Sequence, residues 1–203
     1  MCHRFHRGRP LRPRRRASRG LAACASAGLA VLVCAAPGHA IDAAGCPGAS
    51  AIPTGATLQQ ASGATRCLVN QVRGEHGRAP LASHPRLALA AGRHGLDMVR
   101  RRYLGHRTPT GVTLVRRLER VGYVGAGRTW TAGEDLAWGT GVLATPERTV
   151  QAWLDSPSHR RVLLDAGYRE IGIGVVLGLP VDRADLRGQP AVTYAADFGS
   201  RTQ

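Results

Sequence analysis

Three residues far apart in the sequence have side chains suited to joint chemistry: His106, Glu134 and His159. Each sits at the edge of an apolar segment: His106 in the turn Tyr103-Leu104-Gly105-His106, Glu134 in a short polar turn that opens GEDLAWG, and His159 in SPSHRR. Two imidazoles and a carboxylate are enough to hold a zinc-like divalent cation with one position left open, or to act as an acid/base pair. Other chemistries are set aside. The chain has no G-x-S-x-G elbow and no H-E-x-x-H helix. Cysteine catalysis lacks a nucleophile if the two cysteines left after the first forty residues, Cys46 and Cys67, are joined as one disulfide, the simplest state in an oxidising compartment.

The elements that must position these side chains can be read from periodicity. Residues 65–76 read as a short helix with Leu68 and Val72 on one side. A longer helix follows, with Ser83 as N-cap and Pro85 in its first turn. Leu87, Ala90, Ala91, His94 and Met98 share one face of it, and Leu89, Leu96 and Tyr103 share another, so the helix is expected to be wedged between other elements. His94, inside the first stripe, reads as a core histidine satisfied by hydrogen bonds. Residues 112–121 form an amphipathic helix, with Leu114, Val115, Leu118 and Val121 inward and Arg116, Arg117, Glu119 and Arg120 outward. The glycine-rich residues 122–133 read as a loop. Thr145-Pro146 opens a helix that turns Val150 and Trp153 inward, and Ser158-His159 starts another turn. The period then changes to two. Residues 170–177 and 191–198 read as half-buried strands that pair antiparallel across a loop. Helices first and a hairpin last predict an α+β fold with one core in residues 64–203.

The amino terminus reads as an export signal. Eight arginines lie within the first twenty residues, an alanine-rich apolar run covers 21–36, and small residues precede a cut after Ala40. The run is shorter than the roughly 20 residues a membrane span needs. A lipoprotein box at Leu21-Ala22-Ala23-Cys24 precedes the apolar run instead of ending it. Cleavage near Ala40 leaves 163 residues, beginning with a Gly/Ala/Ser-rich leader over 41–63. It carries 20 arginines and no lysine against 13 acidic residues. An anionic envelope surface would suit that charge. The arginines are scattered, however, and read first as compositional bias; no aromatic-interleaved basic patch for nucleic acid is present.

Taken together, the residues resemble the CAP superfamily (cysteine-rich secretory proteins, antigen 5, pathogenesis-related proteins), in its short bacterial SCP-domain form. The matching elements, in order, are CLVNQVRGEHG from Cys67, His94-Gly95-Leu96-Asp97-Met98, Tyr103-Leu104-Gly105-His106, the helix end Arg117-Leu118 with Val121-Gly122-Tyr123, Gly133-Glu134-Asp135-Leu136-Ala137, Val150 and Trp153 with Ser156-Pro157-Ser158-His159-Arg160, IGIGV, and Ala196-Asp197-Phe198-Gly199. The resemblance implies an α-β-α sandwich with a small antiparallel sheet between helical layers. It also implies a central cleft holding His106, Glu134 and His159, with a divalent metal such as zinc as the candidate cofactor. Two departures matter. Ser156 stands where many eukaryotic members place a second glutamate, and Asp155 points elsewhere on its helix. Asp135 replaces the common asparagine after Glu134, adding negative charge that would favour a cation. With one acid missing, a secreted, monomeric module binding a lipid, peptide or wall fragment ranks first. A metal-assisted hydrolase with Glu134 as catalytic base ranks second, and a surface or host-interaction protein without cleft chemistry third.

Overall fold

The computed structural model describes residues 41–125, 129–186 and 188–201. The proposed signal peptide and its cut lie outside the described residues. A four-stranded sheet in the order β1-β3-β4-β2 separates two helical layers. Its strands are β1 (Ala82–Ser83), β2 (Trp130–Thr140), β3 (Glu170–Leu177) and β4 (Ala191–Arg201). Strands β3, β4 and β2 run antiparallel, and the two-residue β1 adds a parallel edge to β3, so the sheet is mixed. One layer holds α1 (Leu58–Glu75), α4 (Pro146–Asp155) and α5 (Pro157–Leu163); the other holds α2 (Pro85–Arg101) and α3 (Leu114–Arg120). This is the α+β sandwich expected. No helix among the described residues is long and apolar enough to cross a membrane.

Strand alternation divides the core between the two faces. Ile171, Ile173, Tyr194, Ala196 and Phe198 pack against Leu68, Val69 and Val72 of α1 and Val150 and Trp153 of α4. On the opposite face Ala195 and Leu136 meet Ala91 and Met98 of α2. The glycines of IGIGV explain how α2 sits there. A Cβ at Gly172 would collide with the α2 backbone at Leu87 and Ala88, and one at Gly174 with that at Ala91 and Gly92. The strand is therefore buried on both sides rather than half-buried: the helix backbone rests on the glycines.

Several element boundaries differ from the sequence reading. Helix α1 begins at Leu58, not in the middle of the sixties, because Ala61, Ala64 and Thr65 are buried against its neighbours. The leader packs through Cys46. Cys46 forms the expected disulfide with Cys67, Ala49 is buried, and the Ala49 carbonyl accepts from Glu147 N at 3.0 Å. The α2 N-cap is His84, whose Nδ1 accepts from Arg86 N, since Ser83 is taken up in β1. The first α2 stripe is buried as expected, but Leu89 and Leu96 are 46% and 38% exposed. Helix α2 covers one sheet face and is not wedged. The largest omission is β2. Its eleven residues pair throughout with β4, so Glu134 lies on a strand and not in a turn.

Candidate functional site

Glu134 is placed by the edge strand β2, and its side chain is 2% exposed. Trp153 fastens this strand to α4, its Nε1 donating to the Leu136 carbonyl at 3.1 Å. His106 comes from the loop that leaves α2 through Arg102, which adopts a left-handed conformation (φ 55°). Two hydrogen bonds hold the loop. His94 Nε2 donates to the Gly105 carbonyl at 3.0 Å, and Arg117 Nη1 donates to the His106 carbonyl at 2.9 Å. His94 is thus the satisfied core histidine expected, and it also supports the site.

The structure brings His106 and Glu134 together: His106 Nδ1 donates to Glu134 Oε1 at 2.8 Å. Glu134 Oε2 accepts from Arg117 Nη2, and His94 Nε2 lies 3.8 Å away. Arg117 therefore corrects the sequence reading. The helical pattern puts it toward solvent, yet it is buried against Glu134. A signal for this exists in the spacing, because Arg117 follows Leu114 by three residues and precedes Val121 by four, which places it on their face.

Electrostatics follow from this arrangement. Burial would raise the Glu134 carboxyl, but the His106 hydrogen bond and the charges of Arg117, His94 and His106 outweigh it and hold the group below the ordinary carboxylate range. The Glu134 hydrogen bond raises His106, against its own partial burial. His94 is lowered, chiefly by burial. Asp197 pairs with Glu134 across β4 and β2, on the same sheet face, and is fully buried. Burial, and then the negative charge of Glu134, push its carboxyl well above the ordinary range. Sequence reasoning assigned Asp197 no role.

Asp135 also departs from expectation. On a strand, neighbouring side chains point to opposite faces, so Asp135 lies away from Glu134. Neither of its carboxylate oxygens has a hydrogen-bond partner among the described residues, and it is 1% exposed. Burial raises its pKa to about 8, and Glu134 adds to the shift. It is neutral near pH 7 and adds no negative charge beside Glu134.

His159 stands in the first turn of α5. The far end of that helix is clamped by the buried Arg73, which donates to the carbonyls of Leu163 and Asp165 at 2.6 and 3.1 Å. His159 makes no hydrogen bond or ion pair with His106 or Glu134 among the described residues, and its Nδ1 is buried without a partner. Its pKa is lowered by burial and then by the nearby charge of His106. Among the described residues no three His, Cys, Asp or Glu side chains are grouped closely enough to hold a metal ion. Ser156 bonds Ser158 at 3.1 Å, and Asp155 accepts from Gln151 at 2.9 Å, so neither supplies the missing acid.

The arrangement is a buried carboxylate fixed by a guanidinium, presenting a half-exposed imidazole beside a second imidazole. Residues 67–178 match the model of the CAP family, described as the cysteine-rich secretory protein family. That is more than half of the chain and contains His106, Glu134 and His159; the chain belongs to this family. It is 32% identical over 109 residues to the uncharacterized protein YkwD of Bacillus subtilis, covering 54% of this chain and 40% of that protein. It is 33% identical over 108 residues to the uncharacterized membrane protein YlbC of the same organism, covering 53% and 29%. The chain thus spans less than half the length of these curated relatives. Its fold resembles that of an extracellular protein containing an SCP domain from Bacillus anthracis, with a TM-score of 0.55, 27% identity and coverage of 72% of this chain and 43% of that one. It also resembles an outer surface protein from Borrelia burgdorferi, with a TM-score of 0.51, 21% identity and coverage of 68% and 90%.

Proposed function

We propose that this is an exported CAP-domain protein whose cleft, between His106, Glu134 and His159, binds a small ligand such as a lipid, a peptide or a wall fragment. The observation that carries this reading is the engagement of Glu134. One oxygen receives His106 and the other receives Arg117. A carboxylate bound in this way orients an imidazole; it is poorly suited to take a proton from water, for which a pKa near neutrality serves best. Binding is therefore favoured over metal-assisted hydrolysis, the second reading. Export is supported by the basic and apolar amino terminus, by the disulfide, and by the likeness to an extracellular protein of Bacillus anthracis.

A divalent cation such as zinc would meet two free donors here, the His106 Nε2 and the His159 imidazole. Glu134 would act behind His106 as the carboxylate that fixes its tautomer and ring direction. Direct ligation by Glu134 would have to displace His106 or Arg117. Such an ion would supply a Lewis acid for a carbonyl or carboxylate of the ligand.

Calorimetric zinc titration of the protein and of His106→Ala and His159→Ala separates the readings. Zinc binding lost in both variants supports the two-imidazole site, and silence of the wild type removes metal from the proposal. Peptide or ester turnover that disappears in Glu134→Ala would overturn the binding reading in favour of hydrolysis. Lipid or peptide that co-purifies with the wild type, without turnover, supports it.

A further inference from the structure

Four of the arginines that look scattered in sequence converge. Arg93 and Arg101 of α2 and Arg117 and Arg120 of α3 border a concavity of about 260 Å³ between these helices and the turn at residues 108–112. The carboxylates nearby are all engaged. Asp97, which lines the concavity, accepts the Tyr103 hydroxyl at 2.6 Å and pairs with Arg101 at 3.6 Å. Glu119 pairs with Arg116 at 2.8 Å, and Glu134 holds Arg117 from behind the wall. Arg93 and Arg120 have no carboxylate partner among the described residues. Two exposed guanidiniums without a carboxylate partner among the described residues thus border one concavity from different helices, and an anion there would meet both.

The rest of the lining narrows the class of anion. Thr108 and Thr110 hydrogen-bond each other through their hydroxyls at 3.1 Å, which leaves one O–H of the pair for a ligand, and Ala90, Val112 and Val121 add apolar lining. A planar carboxylate satisfies one guanidinium fork. A tetrahedral phosphate offers enough oxygens for forks from two sides and for a hydroxyl as well. The volume lies just below the roughly 300–1,000 Å³ of small-molecule sites, which suits a phosphate carrying a small organic group. We infer that the α2–α3 concavity is an anion site for a phosphate ester, bound by Arg93 and Arg120 with one hydroxyl of the Thr108–Thr110 pair. Neither His106 nor His159 lines it; it shares His94 and Arg117 with the Glu134 cluster, whereas Arg93 and Arg120 belong to the concavity alone. The ester is either a soluble monoester or the headgroup of an anionic lipid.

Calorimetric titration of the full protein with inorganic phosphate tests the site, with acetate as the carboxylate comparison. One saturable site is expected, weakened roughly tenfold in Arg93→Ala and again in Arg120→Ala. Both side chains are exposed, so the variants should fold. Arg116→Ala, an exposed arginine on the same helix outside the concavity, should change phosphate affinity less than about twofold. Glycerol phosphate binding more tightly than phosphate-lipid vesicles assigns a soluble ligand, and the reverse assigns a headgroup. The inference is overturned by a wild type that does not saturate at millimolar phosphate. It is equally overturned if acetate binds as well as phosphate, or if Arg116→Ala weakens binding as much as Arg93→Ala.

Discussion

Replacing Arg117 by methionine keeps the apolar stem and removes the cation from a carboxylate whose side chain is 2% exposed. Two interactions go at once: the pair with Glu134, and the 2.9 Å hydrogen bond to the His106 carbonyl. Removing one partner of a buried pair costs about 3–5 kcal/mol, and a lost hydrogen bond about 1 kcal/mol more. His106, already bonded to the other oxygen, offsets part of the loss, so a net cost of about 3 kcal/mol is expected. In a chain of this size that lowers the melting temperature by roughly 10 °C. Glu134→Gln alone leaves Arg117 buried without its counter-charge and should also destabilise. The double variant removes both charges and should recover at least about 2 kcal/mol relative to the sum of the single changes. Urea unfolding followed by circular dichroism measures all four corners. The pH dependence has a definite sign. Glu134 is held below its ordinary value in the folded state. The stability it contributes is therefore complete above the usual carboxylate range and lost as pH falls through the folded value. The coupling seen near neutrality should shrink below about pH 4. A cost under about 1 kcal/mol for Arg117→Met, with additive single changes, would refute the idea that this pair organises the site.

Two other substitutions test the frame around the cluster. Gly174→Ala places a methyl against the α2 backbone at Ala91 and Gly92 and should cost more than about 3 kcal/mol in chemical denaturation; a neutral result would mean that α2 does not rest on β3. Asp135 keeps its proton up to about pH 8 when folded, against an ordinary value of 3.8, so the wild type should lose stability steadily as pH rises between those values. Asp135→Asn should abolish that slope and raise stability at pH 8, and unfolding curves with the same slope for both proteins would show that Asp135 is not buried as a neutral acid.

Much of the scaffold is legible because it follows local rules. The α2 stripe Leu87, Ala90, Ala91, His94 and Met98 is buried throughout, at 1% exposure or less. The α4 cap at Thr145 is as expected, as are the hairpin of β3 and β4 and the pairing of Cys46 with Cys67. Strand β2 is not legible, because burial on a strand is read from apolar alternation and its centre is Glu134-Asp135. The first is buried because it has partners, Arg117 and His106, contributed from elsewhere in the chain; the second is buried as a neutral acid. Leu89 and Leu96 fail in the other direction: a helical wheel shows which residues share a face, not whether anything covers it.

The order of motifs in the sequence determined the family and the α+β class, and it singled out His106, Glu134 and His159 as candidates. Those properties reside in residue type, spacing and periodicity, each set within a few turns of chain. Tertiary structure alone decided what Glu134 does. Its two oxygens are divided between a histidine from the loop after α2 and an arginine from α3, with the buried Asp197 across the sheet. The charge state and hydrogen-bonding role of a buried carboxylate depend on which groups surround it once water is excluded, and those groups arrive from segments that only the completed fold brings together.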